Sequence, residues 1–146
     1  MSLRLSTGCA TKVLGTSSLK TLLTACFIDI YSGTQPTTPD EAPSGTKLVT
    51  LYSDGTATGL GWGTAAAGVL PKASGETWSG TCLATGTAGW FRIREAGDAG
   101  TSLSTTAVRI DGTIATSGAD MNLGSLSLVS GAPFVLSSGQ ITLPQT

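Results

Sequence analysis

Turn-forming residues interrupt this chain so often that no long helix can run through it. There are 20 Gly and 6 Pro in 146 residues, recurring between short apolar runs roughly every 8–12 residues. Glu, Lys, Gln and Arg, the straight-chain helix formers, are scarce; 24 Thr and 17 Ser take their place. A helical bundle or coiled coil is excluded. Charged residues are only 12% of the chain and the net charge is -1, so there is no basic stripe for nucleic acid. Histidine is absent, which rules out His-based nucleophilic sites and His-ligated metals. With 40% hydrophobic residues a chain of this length has enough apolar side chain for one core.

Alternation places the elements. A short helix through Leu19, Leu22 and Leu23, capped by Ser17 or Ser18, is the one expected helix. Strands are expected over 26–31, with Phe27 and Asp29 on one face and Ile28 and Ile30 on the other, and over 47–52. Others are expected from Glu76, over 87–93, and in the alternating tail through Leu126, Leu128, Phe134, Leu136, Ile141 and Leu143. Asp54-Gly55 reads as a turn, and Asp111-Gly112 as the tightest hairpin signal, between Val108 and Ile114. The segment 34–45 holds Pro36, Pro39 and Pro43 and reads as an extended loop. The expected fold is mainly β: a single-domain β-sandwich or barrel-like antiparallel fold over 17–146, with one short helix and an N-terminal arm over 1–16.

Few residues invite a chemical reading. The carboxylates Asp54, Asp98, Asp111 and Asp120 sit in glycine-rich turn contexts, where Asp bonds its own backbone. Asp29, Glu76 and Glu95 invite the same question, and no pair is marked out as catalytic. Calcium at loop carboxylates around Asp98 or Asp120 stays open, although no segment has the EF-hand spacing. Gly59-x-Gly61-x-Gly63 lacks the residues of a phosphate loop and reads as close backbone packing. Trp62, Trp78 and Trp90 read as core anchors; a ligand-binding module would instead expose two or more of them in a groove. Arg92 and Arg94 read as a solvated strand face, or as a pair facing Glu95 or a neighbouring subunit. Cys9, Cys26 and Cys82 are odd in number, match no zinc spacing, and read as reduced apolar residues. Leu23-Thr24-Ala25-Cys26 has the form of a lipobox, but the stretch before it is broken by Gly15, Thr16, Ser17, Ser18 and Lys20. No segment is apolar enough to cross a membrane. No enzyme activity, cofactor, metal, nucleic acid or membrane is therefore expected. The neutral Ser/Thr/Gly coat suits a protein packed against other subunits.

Four blocks carry a resemblance: Ile28-Asp29-Ile30-Tyr31-Ser32-Gly33-Thr34-Gln35-Pro36, Ala84-Thr85-Gly86-Thr87-Ala88-Gly89-Trp90-Phe91-Arg92-Ile93, Asp111-Gly112-Thr113 and Thr116-Ser117-Gly118-Ala119-Asp120-Met121-Asn122-Leu123. In this order, over residues 19–143, they resemble small virion structural proteins of tailed bacteriophages. The resemblance implies a capsid decoration or cement protein that binds and stabilises the head shell. Neck, tail or baseplate components, and a receptor- or carbohydrate-binding β module of the virion, are the alternatives. It also implies the major capsid protein or other virion proteins as partners, self-association as a homotrimer, and a place in the virion after assembly in the host bacterial cytoplasm. On this reading the arm orders on docking and the Pro-rich loop clamps a subunit boundary. Arg4, Leu5, Pro36, Pro39, Pro43, Arg92 and Arg94 are then the candidate subunit contacts.

Overall fold

The computed structural model describes residues 3–143; Met1, Ser2 and 144–146 lie outside the described residues. The described residues form eleven strands and two short helices. Seven strands follow one another in a mostly antiparallel sheet: β1 (Arg4–Leu5), β7 (Arg109–Ala115), β6 (Gly86–Arg94), β2 (Phe27–Ser32), β3 (Lys47–Ser53), β5 (Trp78–Thr81) and β10 (Pro133–Leu136). At its margins β8 (Met121–Asn122) joins β7 in parallel and β9 (Ser127–Leu128) joins β6. A second, two-stranded sheet pairs β4 (Val69–Pro71) with β11 (Gln140–Thr142). The fold is mainly β and antiparallel, as the alternation implied.

The expected face assignment of β2 holds, because successive strand residues point to opposite sides. Ile28 and Ile30 join Leu51, Val49, Phe91, Ile93 and Ile110 in the apolar core. Leu70 of β4, Ile141 of β11, Leu23 and Leu60 belong to the same core. The glycine run does bring backbones together: a Cβ on Gly59 would lie 2.2 Å from the Ala25 carbonyl oxygen. The next residue, Leu60, donates its N–H to Cys26 O at 2.8 Å.

Three expectations are corrected. The first concerns the described part of the N-terminal segment, which is not a free arm. Arg4 and Leu5 pair with Asp111 and Ile110, and Thr7–Gly15 forms helix α1. Ser6 ties both to the body: its Oγ accepts from Cys9 N and Arg109 N and donates to Ala107 O at 2.7 Å. Second, α1 precedes the expected helix, here α2 (Leu19–Leu22), so there are two. Third, Asp111-Gly112 is no hairpin turn but lies in the middle of β7. Asp111 is held extended by neighbours on both sides, and a Cβ at Gly112 would meet the Phe91 ring at 2.5 Å. The Asp54-Gly55 turn is present, with φ of +52° and +70°.

Candidate functional site

The sheet face opposite the core carries charge. Strand register aligns Arg4, Asp111, Arg92, Asp29 and Thr50 as one row across five strands, basic and acidic residues alternating. Asp29, Arg92, Arg109 and Asp111 are fully buried. Arg92 binds Asp111 in a two-point fork, Nε to Oδ1 and Nη2 to Oδ2, both at 2.7 Å. Asp29 takes Thr50 Oγ1 at 2.6 Å, Arg94 Nε at 2.7 Å and Lys47 Nζ at 3.1 Å. One row further along, Arg109 forks onto Asp98 at 2.6 and 2.9 Å.

Two irregular segments cover this face, and the arginines hold them by backbone carbonyls. Arg4 donates to Pro36 O and Thr37 O at 2.9 and 2.7 Å. Arg92 Nη1 reaches Glu41 O and Gly100 O at 3.0 and 3.2 Å. Arg109 Nη1 reaches Pro39 O and Ser102 O at 3.2 and 2.9 Å, and Arg94 Nη1 reaches Asp98 O at 2.7 Å. Trp90 stacks on Tyr31 with centroids 4.5 Å apart and donates to Ser44 O. Charge that would be costly unpaired is thereby neutralised, and the loops gain anchors independent of their own side chains.

Most of the candidate contact residues are therefore engaged within the chain. Arg4, Pro36, Pro39, Arg92 and Arg94 come together inside one chain; Pro43 is half-buried in the same loop and Leu5 stays exposed. The reading of Arg92 and Arg94 as a solvated face, or as partners of Glu95, is corrected. Arg92 is buried and Arg94 mostly so, because segments 34–45 and 97–106 lie over them. Glu95 instead accepts from Val108 N at 2.9 Å and faces Lys12 at 3.6 Å. Asp111, read as a turn residue, and Arg109, which drew no attention in the sequence, belong to this network. Their signal was a lone charge set among apolar residues in successive strands.

Burial pushes the Asp98 carboxyl up, but its bonds to Arg109 and Gly100 N–H outweigh that and hold it below the usual carboxylate value. A lowered folded-state pKa stabilises above the unfolded value of about 4 and loses that stabilisation as pH falls through the folded one. Burial drives Asp111 upward, against the pull of Arg92, so its own contribution has the opposite sign. We predict that wild-type protein loses more thermal stability between about pH 5 and pH 2 than Asp98→Asn does. Parallel melting curves of the two proteins over that range would contradict it.

Among the described residues no group of three Cys, Asp or Glu side chains could hold a metal ion. Asp54 and Asp120 act as turn residues, accepting from Thr77 N and Thr113 N at 2.8 Å. All three cysteines are buried and unpaired. Burial pushes the Cys9 and Cys26 thiols up to about 11 and raises Cys82 as well. At pH 8 a thiol of that kind is ionised only about once in 1,000 molecules. Native protein should show no fast reaction with a thiol-disulfide reagent, and three thiols after denaturation; rapid labelling of any one in the folded state would contradict the assignment.

On the core side a cleft of about 580 Å3 opens between the sheet and the segment around β11. Trp78 lies on its floor and is buried; Trp62, half-buried, meets it edge-on at 4.9 Å. Trp90 is buried on the opposite face. Trp78 is thus a core anchor, Trp90 is buried beneath the Pro-rich loop on the other face, and the groove exposes no pair of tryptophans. Asp120, Asn122 and Gln140 stand at the mouth of the cleft.

Charge is sparse on the outer surface and unevenly spread. Of the chain's 8 basic and 9 acidic residues Lys20, Asp54 and Asp120 are exposed, Asp29, Arg92, Arg109 and Asp111 are buried, and the rest are partly exposed. No charged residue occurs at 77–91 or beyond Asp120, which leaves β5 and β10 uncharged at one end of the sheet. Leu83 (63% exposed), Val129 (55%) and Val135 (56%) stand out from that end. Comparison with family models, with curated proteins and with solved structures finds no match to this chain.

Proposed function

We propose that this chain is a non-enzymatic structural protein of a tailed-phage virion, in the first place a capsid decoration or cement protein. The phage assignment rests on the sequence resemblance. The observation that supports a role in adhesion is the disposition of charge. Three arginines and the carboxylates Asp29, Asp98 and Asp111 are turned inward as clamps, and the β5 and β10 end is left neutral, hydroxylated and studded with aliphatic side chains. Such a surface desolvates at little cost when a neighbour covers it. The clamped loops give a rigid body, so docking orders few residues.

The partners are the major capsid protein, or another virion protein, and further copies of the chain. The test is co-sedimentation of purified protein with heads that lack it, followed by heat or low-salt challenge. Saturable binding and better head survival are expected; heads that bind none of it would overturn the proposal. Copies spread over the shell fit decoration, whereas one ring at the vertex or tail fits a neck or tail component. A carbohydrate- or receptor-binding module is the alternative; its site would be the cleft, rimmed by Asp120, Asn122 and Gln140, although a single partly exposed tryptophan, Trp62, is less than such a module would present.

A further inference from the structure

The two ends of the main sheet differ. At one end β1 is two residues long, carries Arg4, and is followed directly by α1. These are devices by which proteins blunt an open sheet edge. At the other end, among the described residues, β10, Pro133-Phe134-Val135-Leu136, pairs with β5 on one side only. Its sole blunting device is Pro133 at the start. No charge lies in the strand, in β5, or anywhere from Met121 onward. An edge strand directs alternate N–H and C=O groups outward, and what satisfies such a row best is another extended strand.

We propose that β10 is the seam of a twofold dimer, in which β10 of one copy pairs antiparallel with β10 of a second and the two sheets become one. This rests on the proposed adhesive role and names one partner of the same uncharged end: the chain itself. The strand is self-complementary. In antiparallel pairing, opposed residues must share a sheet face, so the axis passes through a residue. Centred on Val135, it sets Val135 against its own copy on the outer face. Phe134 then meets Leu136 on the core side, where Leu136 is buried and Phe134 partly so. No charged side chain confronts its like across the axis, which an edge bearing a lysine could not achieve. Leu83 and Val129 extend the apolar border: Ser130 donates its hydroxyl to Leu83 O, and Gly131 N–H reaches Cys82 O, so both residues lie at one corner beside β10. A closed twofold pair replaces the threefold arrangement that the resemblance implied.

Sedimentation equilibrium of the purified chain tests this, with Val135→Lys as the variant. Val135 is more than half exposed, so the substitution leaves the fold intact, and an unchanged melting temperature in dilute solution checks that. The expected result is a concentration-dependent dimer whose dissociation constant rises at least ~10-fold in the variant. Amide exchange at 134–136 should slow as wild-type concentration rises. A wild-type monomer, a trimer, or a dimer that survives Val135→Lys unchanged would overturn the proposal. Head co-sedimentation of the same two proteins keeps the readings apart: dimer loss with binding retained, or the reverse, shows which of them fails.

Discussion

Replacing Arg92 by Met should cost about 3–5 kcal/mol of folding stability, a large share of what a domain of this size has in total. The substitution keeps most of the volume and removes the guanidinium. Asp111 is then left fully buried without its two-point partner, and the backbone carbonyls of Glu41 and Gly100 lose a donor. The cost comes from the orphaned groups and not from the attraction lost. Removing both charges with Arg92→Met and Asp111→Leu together should therefore recover much of it. Urea unfolding of the two single variants and the double one measures the coupling. A loss below about 1 kcal/mol in Arg92→Met, the ordinary value for an exposed ion pair, would mean the row is solvated.

The second large effect needs only one added carbon. Gly89 sits in β6 where its pairing with β2 slips by a residue, between Tyr31 and Ser32. A Cβ there would lie 2.1 Å from the carbonyl oxygen of Gly33. That oxygen belongs to the backbone at the start of the Pro-rich loop, so relief requires the loop to lift off the charged face. Gly89→Ala should destabilise by more than about 2 kcal/mol, within the range of overpacking in a tight site. Gly97 and Gly124, where an added Cβ meets nothing within 4 Å, should accept Ala within about 0.5 kcal/mol. Thermal midpoints of the three variants make the comparison, and similar values for all three would refute the close approach.

The sequence conveyed the strands better than what lies over them. Alternation in 26–31, in 47–52 and in the tail is a local property, and the pleat converts it directly into faces. Helix α1 escaped because Thr7, Gly8, Thr11 and Gly15 are poor helix formers. Tertiary bonds from Ser6 to Ala107 and Arg109 set it in place, and those span about a hundred residues of chain. Asp111-Gly112 has the composition of a hairpin turn, and only pairing with β1 and β6 shows why it runs straight. The charged row was half visible. Asp29, Arg92 and Asp111 each stand among apolar neighbours with signs that alternate by strand, but strand order is not written in any one segment. Burial of the row depends on segments 34–45 and 97–106, which have no period of their own. They are positioned in large part by carbonyls, which every residue has and which leave no mark in residue type; the side-chain anchors Asp40 and Asp98 join residues far apart in the chain or across a loop.

The central claim is that the charge-free end of the sheet exists to be covered. A residue-resolution image of the particle proposed for it, a tailed-phage virion, tests it most directly. The account predicts density for this chain on the head surface, with β5, β10 and the turn around Val129 pressed against a neighbouring subunit or a second copy, and the loops over the charged face packed on their own sheet. Density with that end bare to solvent, or particles that contain none of this chain, would contradict it.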